Sequence, residues 1–252
     1  ILRILMKLMK ASFYNTLKKS NIISCGEPLD KNLALKIYSF NPLSFFNLYG
    51  STEVSPWIIS LDVNNYLNSF EKNVLIPPVL PAGYALPNVK LTLGESSELL
   101  VNSKSVFKGY LNQSNTDVFT KHNDEVFFKS GDLFESKYSQ WFCNGRINSA
   151  VKIGGVFINP ILLEIEIKDK TSLEDIVIIP DIVNANIVLV IFNINSNDTI
   201  KKSTIFIKEI IRNNCSKDIP IKFIYEDSKV KYLKSGKINR KFYNQKFINQ
   251  SY

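Results

Sequence analysis

Asn47-Leu48-Tyr49-Gly50-Ser51-Thr52-Glu53 gathers an aromatic ring, a glycine, two hydroxyls and a carboxylate into one short stretch. It follows the apolar pair Phe45-Phe46, so a strand is expected to run into a loop that can hold polar chemistry. The ring of Tyr49 offers a flat face to another ring, and Gly50 lets the backbone come close to a ligand. Thr52 can donate to a phosphate oxygen, and Glu53 is a hard oxygen ligand of the kind Mg²⁺ prefers. The same residues also make an ordinary turn, so the rest of the chain must decide between the two readings.

Three more charged residues sit among turn signals: Asp132 in Ser130-Gly131-Asp132-Leu133, Arg146 after Gly145, and Lys237 after Gly236. Each has a plain reading. Asp132 could serve only an Asx-turn, Arg146 a surface ion pair worth little, and Lys237 could be one solvated lysine among many. Gly236-Lys237 is like the end of a P-loop, but no glycine stands at the required upstream position and Ile238 replaces Ser/Thr. There is no G-x-G-x-x-G either. If a nucleotide binds, this chain supplies part of its site. Cys25, Cys143 and Cys215 are too far apart for a metal or disulfide pattern. His122 lies in a polar stretch, which argues against a zinc site or a Ser-His-Asp triad. A reducing, cytoplasmic compartment is expected.

The elements that must position these residues follow from pattern and punctuation. The chain has 252 residues, 45% of them hydrophobic, enough for one large domain or two smaller ones with real cores. Its net charge is +8 and its pI about 9.2, but the lysines are spread rather than gathered into one basic block, so no nucleic-acid partner is expected. Residues 1–10 read as an amphipathic helix rather than a signal sequence, and no apolar run is long enough to span a membrane. The absence of an initiator methionine, with a helix-like pattern from the first residue, suggests an interior start. A strand at 22–25, a turn at Gly26, a helix over about 30–40 opened by Pro28, and the strand before Asn47 form α/β grammar. Residues 57–81, with Pro77, Pro78 and Pro81, read as an irregular connection. Short runs at 89–93, 98–102 and 125–129 predict a small antiparallel sheet or barrel. A strand at 140–143, a turn at Gly145-Arg146, a hairpin over 151–160 and a helix opened by Pro160 come next. The tail predicts strands at 176–180, 187–192 and 221–225. It also predicts an amphipathic helix over 199–213 with apolar Ile200, Ile205, Ile207, Ile210 and Ile211.

Taken in order, these stretches resemble the AMP-forming adenylate synthetases: acyl-CoA synthetases, nonribosomal peptide synthetase adenylation domains and luciferases. Residues 47–53 match N-x-Y-G-x-T-E. Glu98-Leu99-Leu100-Val101 through Gly109-Tyr110-Leu111 matches G-E-L-x-V…G-Y, and Ser130-Gly131-Asp132-Leu133 matches T/S-G-D-L. Gly145-Arg146 through Lys152-Ile153, with Gly155 and Glu164-Ile165-Glu166, matches G-R-x-D-x-x-V-K-x-x-G…E-I-E. Ser235-Gly236-Lys237-Ile238 with Arg240 matches S-G-K-I-x-R, and Cys25-Gly26-Glu27-Pro28-Leu29 fits G-G-E-P-L. The fold class implied is α/β: the end of a large α/β domain with a small β-barrel-like subdomain over 1–147, followed by a small α+β lid domain over 148–252.

The resemblance implies a carboxylic acid–thiol ligase that uses ATP and Mg²⁺ to make an acyl-adenylate. The acyl group then passes to the pantetheine thiol of CoA or of a carrier protein. By resemblance, Tyr49, Gly50, Ser51, Thr52, Asp132 and Arg146 bind the nucleotide, and Tyr49 packs near the adenine. Thr52 meets the α-phosphate, Asp132 the ribose hydroxyls and Arg146 the ribose and phosphate, while Glu53 holds the metal. Lys237 is the mobile lysine between carboxylate and phosphate. Leu48, Pro56 and Trp57 line the acid pocket, with Trp57 narrowing it. The lid swings about a hinge at Asn148, where Asp is commonest, to present one face for adenylation and another for thioester formation. In the second pose Gly154 and Gly155 approach the thiol. The chain departs from the pattern in several places: the Ser/Thr/Gly-rich phosphate loop is absent, Ser97 replaces a glycine, Lys231-Tyr232-Leu233 replaces P-K-T, and the segments before Glu98 and after Glu166 are short. A divergent member, an incomplete chain, or both would explain this, and the rival reading is a non-catalytic remnant that binds a carrier or partner.

Overall fold

The computed structural model describes residues 16–70, 75–112, 114–115, 117–147, 151–153, 156–171, 173–192, 197–215, 219–234 and 237–248. They fall into two compact units divided after Ile147.

The first unit begins with a four-stranded sheet of β1 (Asn21–Cys25), β2 (Ser44–Tyr49), β3 (Ile59–Asp62) and β4 (Tyr84–Ala85), in that order. β1 and β2 run parallel and the later pairs antiparallel. A parallel pair needs a crossover, supplied by α1 (Lys31–Tyr38). Asp30 caps α1, its Oδ1 accepting from the Leu33 N–H at 2.8 Å. The helix therefore starts after Asp30, and Pro28 lies outside its first turn. Ile22, Ala34, Ile37, Phe45 and Leu61 close the core between sheet and helix.

The span 57–81, expected to be irregular, holds β3 and a short helix, α2 (Val63–Asn68), capped by Asp62. The prolines that suggested disorder of pattern all fall after α2. They do not touch the alternation of Ile59, Ser60, Leu61 and Asp62, which is buried and half-buried in turn.

The second sheet is antiparallel: β5 (Lys90–Leu93), β6 (Glu98–Asn102), β7 (Phe119–His122), β8 (Glu125–Lys137) and β9 (Gln140–Arg146). β8 organises it. Its first residues pair with β7 and its last with β9, while β6 runs along the opposite edge. Register shifts interrupt β6 near Glu98 and β8 at Leu133/Phe134, and such bulges increase twist. Ser130-Gly131-Asp132-Leu133 is therefore strand. So is Gly145-Arg146, expected as a turn: β9 carries through to pair Arg146 with Asp132. The core of this sheet (Leu99, Val101, Phe128, Phe134) is shared with Val54, Ile58 and Ile59 from the first. The Trp141 N–H donates to Gly83 O at 2.8 Å, joining the two sheets again. Gly83, at φ +121°, has room for no side chain: an added Cβ would stand 2.1 Å from Ser60 O.

In the second unit β10 (Val151–Ile153) and β11 (Val156–Ile158) pair antiparallel, as the predicted hairpin required. α3 (Pro160–Lys170) follows, with Pro160 in its first turn and Asn159 Oδ1 accepting from the Ile161 N–H at 3.0 Å. A three-stranded sheet has β13 (Asn186–Phe192) between antiparallel β12 (Ile176–Asp181) and parallel β14 (Ile221–Glu226). Both faces of β13 are covered. Ile187, Leu189 and Ile191 meet α3 and α4 (Asn197–Cys215). Val188, Val190 and Phe192 meet α5 (Arg240–Phe247). That explains an unbroken apolar run where a half-exposed strand would alternate. On α4, Ile207, Ile210 and Ile211 are buried, but Ile205 is 69% exposed. At a helical period of 3.6 residues it stands about 120° to 160° around the helix from Ile207, Ile210 and Ile211. Ile200 has its side chain outside the described set. α5 begins at Arg240, the last residue of the closing motif, where no helix was expected.

Candidate active site

β2 ends at Tyr49, so Asn47, Leu48 and Tyr49 are strand and the loop begins at Gly50. The Asn47 side chain is buried and donates to Pro81 O at 3.0 Å. Gly50 cannot be replaced cheaply, because an added Cβ would lie 2.2 Å from Pro56 O and 2.9 Å from the Trp57 Cα. Thr52–Val54 forms a single 3-10 turn. Ser55 then takes φ 71° and ψ 150°, a conformation that costs a residue with a side chain about 1–3 kcal/mol. The reversal brings Ile58 N–H back to Tyr49 O at 2.9 Å. The loop is thus closed on itself, with Val54 buried and Thr52, Pro56 and Trp57 exposed.

Asp132 is 5% exposed and has both oxygens engaged. The Tyr49 hydroxyl donates to Oδ2 at 2.6 Å, and Arg146 Nε donates to Oδ1 at 2.8 Å. Cross-strand register puts Arg146 opposite Asp132, and its guanidinium extends into solvent. Tyr49 also packs edge-on to Phe134, ring centroids 4.7 Å apart. Burial, and the Asp132 carboxylate beside it, push the Tyr49 phenol far above its ordinary range, so it stays protonated. Each carboxylate oxygen keeps a second lone pair for another donor.

Glu53 lies beside this group, half-buried. The Ser51 hydroxyl holds its carboxyl below the usual value, with help from Tyr110 and the Arg146 charge. The Tyr110 hydroxyl donates to Glu53 Oε1 at 2.9 Å. The Phe107 N–H donates to Glu53 O at 2.7 Å, and Ser105 Oγ donates to Val54 O at 2.7 Å. A loop after β6 therefore props the Glu53 turn from outside. An ionised carboxylate suits Mg²⁺, which takes one or two carboxylates and completes its shell with phosphate oxygens and water. Among the described residues no cluster of three metal-ligating side chains exists. Glu98 is buried at the edge of the site and accepts the Gly131 N–H at 2.9 Å, which locks the strand residue next to Asp132.

In the second unit, the backbone pairs Leu233 N–H with Lys237 O at 2.8 Å and Asn239 N–H with Lys231 O at 2.9 Å. Lys237 is exposed on this narrow hairpin.

No family model matches the chain. The chain is 25% identical over 225 residues to a D-alanine–D-alanyl carrier protein ligase of Staphylococcus aureus (strain bovine RF122 / ET3-1), covering 86% of this chain and 45% of that protein. Among solved structures it is similar to NpsA of Klebsiella oxytoca in complex with 3-hydroxyanthranilyl-AMSN. The TM-score is 0.75 at 18% identity, over 98% of this chain and 51% of that one. ATP-bound MatB of Rhodopseudomonas palustris superposes with a TM-score of 0.67 at 19% identity, over 96% and 50%. The chain is thus similar in sequence to part of a carrier protein ligase and in fold to about half of NpsA and of MatB. It spans about half the length of the curated relatives it matches.

Within the first unit, Tyr49, Asp132 and Arg146 are in contact, and Gly50, Ser51, Thr52 and Glu53 form the adjoining turn. Leu48 lies in β2, and Pro56 and Trp57 leave the turn on its exposed side. Lys237 belongs to the second unit. Asn148, Gly154, Gly155, Ser235, Gly236 and the expected helix over 1–10 lie outside the described residues. Motif reading passed over three features: the Tyr110–Glu53 hydrogen bond, the Glu98–Gly131 bond and the close approach at Gly83. Tyr110 and Glu98 were visible as motif residues, but nothing in their spacing named a partner. Pro81 read only as a breaker, and nothing in the sequence drew attention to Gly83.

Proposed function

We propose that this chain supplies the adenine, ribose and metal side of the active site, and the lid, of an ATP-dependent carboxylic acid–thiol ligase. The observation that carries the reading is the buried Asp132 held between the Tyr49 hydroxyl and Arg146, directly beside the Glu53 turn. Residues 1–147 are the end of the large domain, 148–252 the lid, and Asn148 the hinge between them. The site residues retain the types that the chemistry needs, which favours a ligase over a non-catalytic remnant.

In the first half-reaction a carboxylate oxygen attacks the α-phosphorus of ATP. The bond to the β-phosphate breaks, and pyrophosphate leaves with the electron pair. Charge grows on phosphate oxygens, so fixed donors and cations are the main catalytic resource. Thr52 donates to the α-phosphate, Asp132 accepts from ribose hydroxyls, Tyr49 supports the adenine, and Arg146 lies by the ribose and phosphate. Glu53 would hold Mg²⁺, which neutralises phosphate charge when bound. Lys237 brings a positive charge between the acid and the phosphate. In the second half-reaction a pantetheine sulfur attacks the acyl carbon and AMP leaves, with Gly154 and Gly155 leaving room for the thiol.

The acid lies against Leu48, Pro56 and Trp57. Because the curated relatives are named for D-alanine, a small amino acid is the first to test, with CoA and a carrier protein as alternative acceptors. Among the described residues no helix is long and apolar enough to cross a membrane, and with ATP as cosubstrate and free thiols at Cys25 and Cys143 we place the ligase in the cytoplasm. The chain has no Ser/Thr/Gly-rich phosphate loop and does not adenylate by itself. The test is ATP–pyrophosphate exchange in the complete protein. Asp132→Asn should lower kcat/KM for ATP by about 10- to 100-fold, a loss of about 1.4–2.7 kcal/mol of binding to the transition state. Full exchange activity in that variant, or exchange by the 252-residue chain alone, overturns the reading.

A further inference from the structure

Glu164 on α3 and Arg240 at the start of α5 are 76 positions apart and form a two-pronged pair. Arg240 Nη1 donates to Oε1 and Nη2 to Oε2, each at 2.8 Å. The same Nη1 donates to Ile178 O at 2.9 Å, and the Ile178 N–H donates to Glu164 Oε1 at 2.7 Å. Glu164 is 4% exposed. A charge pair this deep contributes little net stability compared with apolar residues of similar volume. What it does supply is direction, because the planar fork accepts one geometry.

The direction matters because of what precedes Arg240. Lys237 stands three positions earlier, on the hairpin closed by Leu233 N–H to Lys237 O and Asn239 N–H to Lys231 O. The outgoing arm of that hairpin runs straight into Arg240. The incoming arm is held separately: the Lys231 N–H donates to the hydroxyl of Tyr243 at 2.8 Å, and Tyr243 is itself buried on α5. The Lys231 ammonium lies 3.9 Å from the centre of the Phe242 ring. Both arms are therefore anchored to α5, and the Glu164–Arg240 fork anchors α5 to α3 and β12.

We propose that Glu164 and Arg240 are positioning residues for Lys237, fixing the base of its hairpin so that the ammonium reaches the reacting carboxylate and phosphate at one place. The inference rests on Lys237 acting in adenylation. A misplacement of ~1 Å far from the chemistry can cost about 100-fold in rate.

The experiment uses the complete ligase and measures two half-reactions with the thermal midpoint of each variant. ATP–pyrophosphate exchange reports adenylation, and transfer from supplied acyl-adenylate to the thiol reports the step that does not use Lys237. Glu164→Gln, and Arg240→Lys, which keeps the charge but loses the fork, should lower kcat of exchange by about 100-fold. KM for ATP and thiol transfer should stay within about twofold, as expected when only a transition-state contact is lost. Tyr243→Phe removes one hydroxyl from an otherwise intact helix and should give the same selective loss at about fivefold, which keeps the proposal testable if the charge variants unfold. Equal loss of both half-reactions in Tyr243→Phe, or no loss in any variant, overturns it. If Lys237→Ala leaves exchange intact, the reading of Lys237 itself fails, and that result differs from a failure of the clamp.

Discussion

The Tyr49 hydroxyl donates to Asp132 at 2.6 Å across 83 positions of sequence, joining the end of β2 in one sheet to the middle of β8 in the other. The bond lies at the shared core of the two sheets, where Tyr49 also meets Phe134. It therefore aligns the candidate adenine face with the candidate ribose acceptor.

Tyr49→Phe keeps the ring and removes the donor. Asp132 then has one buried oxygen without its partner, a cost of about 1–3 kcal/mol in urea unfolding. In the complete protein the same change should weaken nucleotide binding. Because burial and Asp132 raise the phenol above its ordinary range, Tyr49 should also remain protonated while exposed tyrosines ionise near pH 10. A spectroscopic titration showing no difference in the number of titrating tyrosines between wild type and Tyr49→Phe up to about pH 11 is the expected result; loss of one titrating group would refute the assignment.

Gly50→Ala should be severe for a residue on the surface side of the fold. Its Cβ would meet backbone, Pro56 O at 2.2 Å, so no side-chain rotation can relieve it. Overpacking of this kind costs roughly 1–3 kcal/mol. A variant with unchanged stability and unchanged ATP affinity would show that the loop around Ser55 yields.

In the second unit, Lys246 Nζ lies 2.7 Å from Glu226 Oε1 and holds that carboxyl below its ordinary value. A lowered folded-state pKa means that the pair's contribution is complete above the unfolded value of about 4.3 and disappears as pH falls through the folded value. Lys246→Met should thus lower the urea midpoint at pH 7 by a small amount, under ~1 kcal/mol for a pair partly open to solvent. The gap to wild type should narrow below about pH 4. A gap unchanged into strong acid would assign the effect to packing on Phe247 instead.

The thiols should separate by environment. Burial pushes Cys143 up to about 11, so under ~1% of it is thiolate at pH 8.5. Cys25 is exposed. Iodoacetamide followed by peptide mapping should label Cys25 in the native protein and Cys143 only after unfolding. Rapid native labelling of Cys143 would place it at an open surface.

The candidates that the structure brings into contact, Tyr49, Asp132 and Arg146, could be picked out because they lie in short contiguous motifs. Residues 47–53 carry ring, hydroxyls and carboxylate in one contiguous stretch, and Ser130-Gly131-Asp132-Leu133 carries an acid that no apolar strand pattern would select. The strand character of Gly145-Arg146 was not legible. Glycine followed by a charge reads as a turn in isolation, and only pairing with β8 makes it ladder. β3 and α2 were hidden because nearby prolines dominated the local signal. The buried face of α4 was drawn too wide at Ile205, since apolar residues on neighbouring faces look alike until packing selects one stripe.

By itself, the sequence determined which side chains are present, their order, the α/β grammar and the start of α3 at Pro160, because those depend on neighbours a few residues away. Tertiary structure alone decided that Tyr49 and Arg146 share Asp132, that Tyr110 supports Glu53, and that Glu164 grips Arg240. Each of those pairs is set by strand register and helix packing between distant segments. A hydrogen bond forms or fails over tenths of an ångström, a precision that spacing along a chain does not encode.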